Sequence, residues 1–599
     1  MTPTWFRTLL LLSACQAIES AHLGRVRQAG TTTCKAVPGS EDWPAPGTWK
    51  ALNESIGGRL LQPTPLGAVC HPGHASYSPG QCPVVQAAWF TEPLHSDDPV
   101  SAYWNNWSRD TCLPDPRAPC SSDGYPVYVV NATTAEHVKA GVDFGPLMPP
   151  SRLDVSKQAR KNNIRLIVKN SGHDYLGRSS APNSLSIWVH HMKSIKTHPD
   201  GFSPTNCNVA IDGLAITAAA GTQMLEAYRA TALLNRTVVG GNGRTVALGG
   251  FMTGGGHSIL APHYGMAADQ VLEMELVTPG GDIVIANECQ NTDLFWAMRG
   301  GGGSTFGVLT SVTIKTIPSP QVTTLDFAFS TAAENPHAFD AITYFVSKFP
   351  DLADAGVSGY PIIFNTVPNT SDGGRTLVTG VVGKVIKLHT RKASEILQHL
   401  DPLLAHINAT WPGFAFFTNI TTHASFGLWY EDNFDPSPVG FSSVMSSRLL
   451  DRDALTADLN ATKRGLERFS AGGQATVYIV SGKGVRDARP QGGGTAVHPS
   501  WRRAYVHATA TVNFASLDAA ARDAAIAQTK GFAAGLRDLA PDMGAYVNEA
   551  SNWQQTFWGD NYARLLQIKR RVDPEDVFWC TPCVGSERWR EVDDLLCRI

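Results

Sequence analysis

Eleven residues, VKNSGHDYLGR from Val168 to Arg178, hold the densest chemistry in this chain. An apolar run from Ile164 to Val168 predicts a strand. It feeds a tight Ser171-Gly172 turn that presents His173, with Asp174, Tyr175 and Gly177 close behind. Backbone amides bared by such a turn suit a pyrophosphate, and the imidazole beside them can act as ligand, base or covalent tether. Three further motifs follow in order: GGGH at 254–257, RGGGGSTFG at 299–307 and WGDNYARLLQIK at 558–569. Glycine clusters crowd positions 240 to 303, as expected where a backbone fits closely around a large ligand.

The elements that must position these motifs are legible in outline. Val127 to Val130 predicts a short strand, and Thr133-Thr134 with Glu136 starts an amphipathic helix through Val138, Val142 and Phe144. Further strands are expected at Ser186–Val189, Val209–Ile211, Leu272–Val277, Asp282–Ala286 and Val308–Ile317. Beyond Pro318, strands at Thr323–Phe329, Thr376–Ile386, Gln474–Val480 and Ala504–Val512 alternate with helical stretches such as Arg391–Ile407 and Leu517–Leu539. Gly145 to Gln158, with three prolines, interrupts an otherwise smooth helix–strand unit. It reads as an inserted loop or an unspliced segment.

At 599 residues the chain is too long for one core. Its expected divisions are a signal peptide at 1–20, a Cys- and Pro-rich extension at 21–120, a first domain at 121–317, an α+β second domain at 318–540, and a segment at 541–599 that returns to the first. The leader, with Leu9 to Leu12 behind one positive charge, is too short to span a bilayer. Eight Asn-x-Ser/Thr sequons, at Asn53, Asn106, Asn131, Asn235, Asn369, Asn408, Asn419 and Asn460, fit a secreted, N-glycosylated protein. Ten cysteines remain outside the leader, five of them before residue 121, where disulfides are expected to staple the extension. Cys580 and Cys583 are expected to pair with another region rather than with each other. A net charge of −3 and no basic stripe argue against nucleic acid, and no later apolar run reaches membrane-spanning length. His71, His74, His190 and His191 have no completing ligand set, so no metal is expected.

Taken in order, the SGHDYLG turn, the GGGH, the RGGGGSTFG and the WGDNYARLL resemble the berberine bridge enzyme-like flavin oxidases, whose FAD domain is shared with vanillyl-alcohol oxidase. The Cys-rich start resembles secreted fungal members of isoamyl-alcohol-oxidase type. The resemblance implies an α+β fold: a two-subdomain FAD-binding domain of the PCMH type, and a substrate domain built on an antiparallel sheet. It implies FAD bonded through its 8α-methyl to His173. Lys169, Asn170, Ser171, Gly172, Asp174 and Gly177 would form the first cofactor loop. Gly254, Gly255, Gly256, His257 and Ser258 would face pyrophosphate and ring, and Gly302, Gly303, Phe306 and Gly307 would run along the adenosine half. Asn561 and Tyr562 would close over the flavin. Relatives with a second tether carry a cysteine eight residues before the later GGH histidine; here that position is Gly249, which implies one bond only.

On the substrate side, the resemblance points to Glu549 as base and Tyr546 as orienting group, although many relatives carry tyrosine where Glu549 stands. It implies hydride transfer from a small-molecule alcohol or secondary-metabolite intermediate to flavin N5, with O2 as acceptor and hydrogen peroxide as product. The alternatives are a same-fold dehydrogenase with another acceptor, or a secreted binding or cyclase protein that uses FAD as scaffold.

Overall fold

A computed structural model describes residues 33–145, 162–549 and 554–599. The expected leader lies outside the described residues, as does the expected insertion apart from Gly145. Hydrogen bonds from Ile164 N to Gly145 O (2.8 Å) and from Asn162 Nδ2 to Phe144 O (3.2 Å) hold the two ends of that segment side by side.

The fold is α+β. Tyr128–Asn131, Ser184–Trp188 and Arg165–Lys169 form a parallel sheet with Ser184–Trp188 at its centre, and Leu60–Leu61 adds an antiparallel edge. Parallel neighbours need a crossover, which the helix Ala135–Phe144 begins. Thr134 caps it by accepting from His137 N at 3.3 Å, and its inner face buries Val138, Gly141, Val142 and Phe144. A five-stranded antiparallel sheet follows, in the order Ile195–His198, Ala215–Ala219, Val308–Lys315, Val271–Val277, Ile283–Asn287. The expected strand at Val209–Ile211 shrinks to one bridge between Ile211 and Phe202. Gly201 and Gly213, at φ of 106° and 90°, bend the chain on either side.

The large sheet is antiparallel, in the order Ala415–His423, Val322–Ala332, Leu377–Leu388, Val357–Gly359, Gln474–Ile479, Ala504–Phe514, Ser442–Asp451. Ile362–Pro368 also pairs with Leu377–Leu388 and Gln474–Ile479. The helices Ala519–Leu539 and Ala338–Ser347 pack on this sheet, with Leu459–Phe469 between them. Strand alternation decides what the other face offers. In Gln474–Ile479 the side chains of Ala475, Val477 and Ile479 are buried, while Gln474, Thr476 and Tyr478 line a cavity of about 520 Å³.

The Cys-rich start is tied to residues far along the chain. Lys35 N bonds Leu596 O at 2.8 Å, Ala36 N bonds Asn163 O at 2.7 Å, and Cys34 is joined to Cys597. Cys70–Cys82 and Cys112–Cys120 staple the segment between, and Cys207 pairs with Cys289. Cys580 bonds Cys583, three residues on, which corrects the expectation of a distant partner. The turn through Thr581-Pro582 brings the two sulfurs together locally.

Candidate active site

The strand Arg165–Lys169 ends at the wall of the cavity, and the turn behind it is locked from several sides. Gly172 takes φ 90°, which favours glycine, and its carbonyl accepts from Tyr103 N at 3.2 Å. Asp174 grips Arg178, including an Nη2–Oδ1 bond of 2.7 Å. Arg178 Nη2 donates to Asn548 Oδ1 at 3.2 Å, and Asn548 Nδ2 donates back to His173 O at 3.3 Å. His173 Nε2 contacts Thr245 Oγ1 at 2.8 Å, and the ring lies 4.0 Å from that of Tyr103. Burial, with Lys169 second, pushes the imidazole down to about 3, so it is neutral.

The second wall is the short helix Leu248–Gly254, with Gly249, Gly250 and Gly254 facing the cavity. The third comes from the large antiparallel sheet with its connections and from the stretch at 546–549: Tyr360, Ile362, Met445, Tyr478, Tyr546 and Glu549. Here the chain assembles a carboxylate between two imidazoles. Glu549 Oε1 lies 3.4 Å from His257 Nε2, and Oε2 lies 3.7 Å from His507 Nδ1. Burial alone would push Glu549 up; the facing His257 and His507 outweigh it and hold the carboxyl below its usual range. Burial pushes His507 down to about 3. Tyr546 is pushed above the ordinary phenol value by burial, with Glu549 adding to it, so it stays protonated. Its hydroxyl stands 3.4 Å from where a Cβ on Gly254 would be. The ligand atoms of His257, His507 and Glu549 lie within 4.8 Å of one another.

Of the residues singled out from sequence, Asn170 to Asp174, Gly254, His257, Gly303, Gly307, Tyr546 and Glu549 line the cavity. The others sit behind it. Lys169 is fully buried and donates to the carbonyls of His95 and Ser96 at 3.3 and 3.4 Å, anchoring the extension beneath the turn. Gly177 leaves room for Trp107, whose ring a Cβ would meet at 2.4 Å. Gly255 packs on Val497, and Gly256 on Phe251 and Ala267. Ser258 donates to Gly240 O at 2.6 Å, Gly302 lies near Trp558, and Phe306 is fully buried. Asn561 donates to Val497 O at 2.8 Å and the Tyr562 hydroxyl bonds Glu587, so both face away from the cavity lining. Sequence reasoning missed Glu92, Tyr103 and Thr245 around His173, and His507 behind Glu549. None sits in a motif, so only tertiary contact reveals them.

The lining fits an extended dinucleotide. Asn170 Oδ1 and Arg178 Nη1 are buried without a hydrogen-bond partner in the protein, which a native site ordinarily does not tolerate unless a ligand completes it. Gly250 has open space where a Cβ would stand, so backbone can approach a ligand there.

Known proteins agree with this geometry. A family model described as "FAD binding domain" matches residues 153–287, and one described as "Berberine and berberine like" matches 512–584. An uncharacterised FAD-linked oxidoreductase of Arthroderma benhamiae is 36% identical over 589 residues, covering 93% of this chain and 94% of its own. A VAO-type flavoprotein oxidase of Thermothelomyces thermophilus is 32% identical, covering 94% and 95%. The crystal structure of a VAO-type flavoprotein from Myceliophthora thermophila C1 superposes with a TM-score of 0.84 at 29% identity, covering 95% of this chain and all of that one. Berberine bridge enzyme shares the fold at a TM-score of 0.61 and 15% identity, covering 90% of this chain and 99% of its own. A chain matched to such enzymes over nine-tenths of its length, with a glycine-walled cavity beside the matched FAD-binding segment, belongs to the FAD-dependent oxidoreductases of the VAO and berberine-bridge type.

Proposed function

We propose that His173 holds FAD by a single 8α-histidyl bond, and that the enzyme oxidises a hydrophobic alcohol or natural product with O2 as acceptor, releasing hydrogen peroxide. The observation that carries this reading is the placement of a neutral His173 and an ionised Glu549 in the lining of one cavity. Bound FAD supplies the acceptor for a hydride leaving the donor carbon. Glu549 takes the proton from the donor hydroxyl, and the protonated Tyr546 orients the same oxygen by donating to it. Ile362, Trp429, Phe434 and Met445 in the lining favour an apolar donor and keep water out.

A single tether is supported by Gly249. A Cβ there would stand 2.9 Å from Asn170 Nδ2, and the nearest cysteines in sequence, Cys207 and Cys289, are bonded to each other. Secretion is supported by five disulfides and by exposed sequons at Asn235, Asn408, Asn419 and Asn460. Neither nucleic acid nor a membrane is among the proposed partners; among the described residues no helix is long and apolar enough to cross a bilayer.

Acid precipitation of the purified protein tests the reading. A yellow pellet that turns colourless in His173→Ala supports the tether, and a colourless wild-type pellet sinks it. Peroxide released in air during a screen of hydrophobic alcohols supports the oxidase. Turnover that needs an added dye instead identifies a dehydrogenase.

A further inference from the structure

The helix Glu92–Ser96 belongs to the Cys-rich extension, outside both family-matched segments. It nevertheless delivers a carboxylate to the tether. Thr245 Oγ1 donates to Glu92 Oε2 at 2.7 Å, and lies 2.8 Å from His173 Nε2 and 2.7 Å from the Tyr103 hydroxyl. Glu92 Oε1 is itself 4.0 Å from His173 Nε2. Both side chains are largely enclosed, at 14% and 19% exposure.

A hydroxyl has one proton to donate and two lone pairs to accept with. With the Thr245 proton spent on the Glu92 carboxylate, its lone pairs accept from Tyr103 O–H and from His173 Nε2–H. The proton of the neutral imidazole is therefore on Nε2, and Nδ1 carries the free lone pair.

We propose that Glu92 is a positioning residue for the tether: through Thr245 it fixes His173 with its proton on Nε2, then accepts that proton as Nδ1 bonds to the flavin. The inference rests on His173 being the tether. As the Nδ1 lone pair forms the new C–N bond, the 8α carbon releases one C–H proton and leaves that bond's electron pair on the ring system. Dioxygen takes the pair. His173, positive once Nδ1 is bonded, returns to neutral by passing its Nε2 proton to Thr245 as Thr245 passes its own to Glu92. One proton from carbon and one from Nε2 match the two that hydrogen peroxide requires.

The surroundings support an acceptor that works near neutrality. Burial pushes Glu92 up to about 7, opposed by the hydrogen bond from Thr245 and reinforced by Asp435. His173, Tyr103, Tyr175, Arg244, Asp435 and Tyr430 are the titratable or charged groups facing it. Of these, Arg244 pulls against the shift. The carboxylate form, the one able to accept, fills in as pH rises through 7.

The test uses full-length protein from a riboflavin-limited host, mixed with FAD and sampled by acid precipitation over time. Total bound flavin is measured in parallel. Wild type is expected to acquire acid-stable flavin faster at pH 8 than at pH 6. Glu92→Gln should bind FAD but couple it about a hundredfold more slowly, with no pH dependence, and Glu92→Asp should recover part of the rate. Thr245→Val, which breaks the relay while keeping the Glu92 side chain itself, should be slow as well. Wild-type coupling rates and pH response in both Glu92→Gln and Thr245→Val would overturn the relay while leaving the tether intact. Acid-stable flavin in His173→Ala would instead overturn the tether itself, and the relay with it.

Discussion

Glu549 Oε1 faces His257 Nε2 at 3.4 Å, across 292 residues of sequence. The pair joins the glycine-rich segment at 254–257 to the stretch at 546–549, so the proposed base is fixed by both. Glu549→Gln keeps the shape and removes the proton acceptor. Its rate of flavin reduction by donor is expected to fall by about 10²–10⁴, with flavin content near wild type and a melting temperature lowered by loss of the charged contact. Stopped-flow reduction without oxygen reads this directly; an unchanged rate removes Glu549 from the chemistry.

The same contact sets a pH limit. The folded-state pKa of Glu549 is lowered from the ordinary 4.5, so the base stays ionised, and the contact keeps stabilising the fold, at and above that value. Both are lost only as pH falls through the lower folded value. The acid limb of kcat/KM is therefore expected below pH 4.5. In His257→Phe the larger lowering contact and its hydrogen bond are gone, and the limb should move toward neutrality. A limb that stays put in this variant would show that His257 does not act on Glu549.

Gly249→Cys tests the crowding that argues for one tether. The new side chain must displace the Asn170 amide, which holds Ala220 O at 2.7 Å. Digestion followed by mass spectrometry is expected to yield one flavinyl peptide, carrying His173, with less flavin bound overall. A doubly linked flavin would show that the wall yields.

Arg502 pairs with Asp269 through two bonds of 2.7 Å, and the Asp269 side chain is 2% exposed. Arg502→Met leaves a buried carboxylate whose remaining hydrogen bond comes from Met266 N at 2.9 Å. Breaking such a pair from one side costs about 3–5 kcal/mol, and chemical denaturation should show it. A loss within about 0.5 kcal/mol, the range of an ordinary surface change, would mean the contact adds little.

The legible parts of this molecule were those whose chemistry is contiguous. Ser171-Gly172-His173 reads as a sharp change of direction from its own residues, and the chain does bend at Ser171 with Gly172 at a positive φ. The strand Gln474–Ile479 announced itself by its apolar alternation, although sequence could not say that Tyr478 and Thr476 face the cavity. His507 was hidden because it lies in an apolar strand, Ala504–Phe514, where a histidine looks like filler. Glu92 was hidden more deeply. Its segment carries no periodic signal, and it reaches His173 from a helix whose His95 and Ser96 carbonyls accept from Lys169, buried under the turn. Asn561 and Tyr562 show the converse: a recognisable motif whose side chains brace Val497 and Glu587 from behind.

Cys34 and Cys597 are 563 residues apart, yet one bond joins them. A ribosome makes the first of these cysteines early and the second at the far end of the described chain. The covalent tie between Cys34, at the start of the layer that carries Glu92, and the chain at Cys597 therefore cannot form until synthesis has passed Cys597. Closure acquires an order: translation of the whole chain first, then the bond that ties its outer layer down. A cell that reduces its thiols would make the whole polypeptide and leave that outer layer untied.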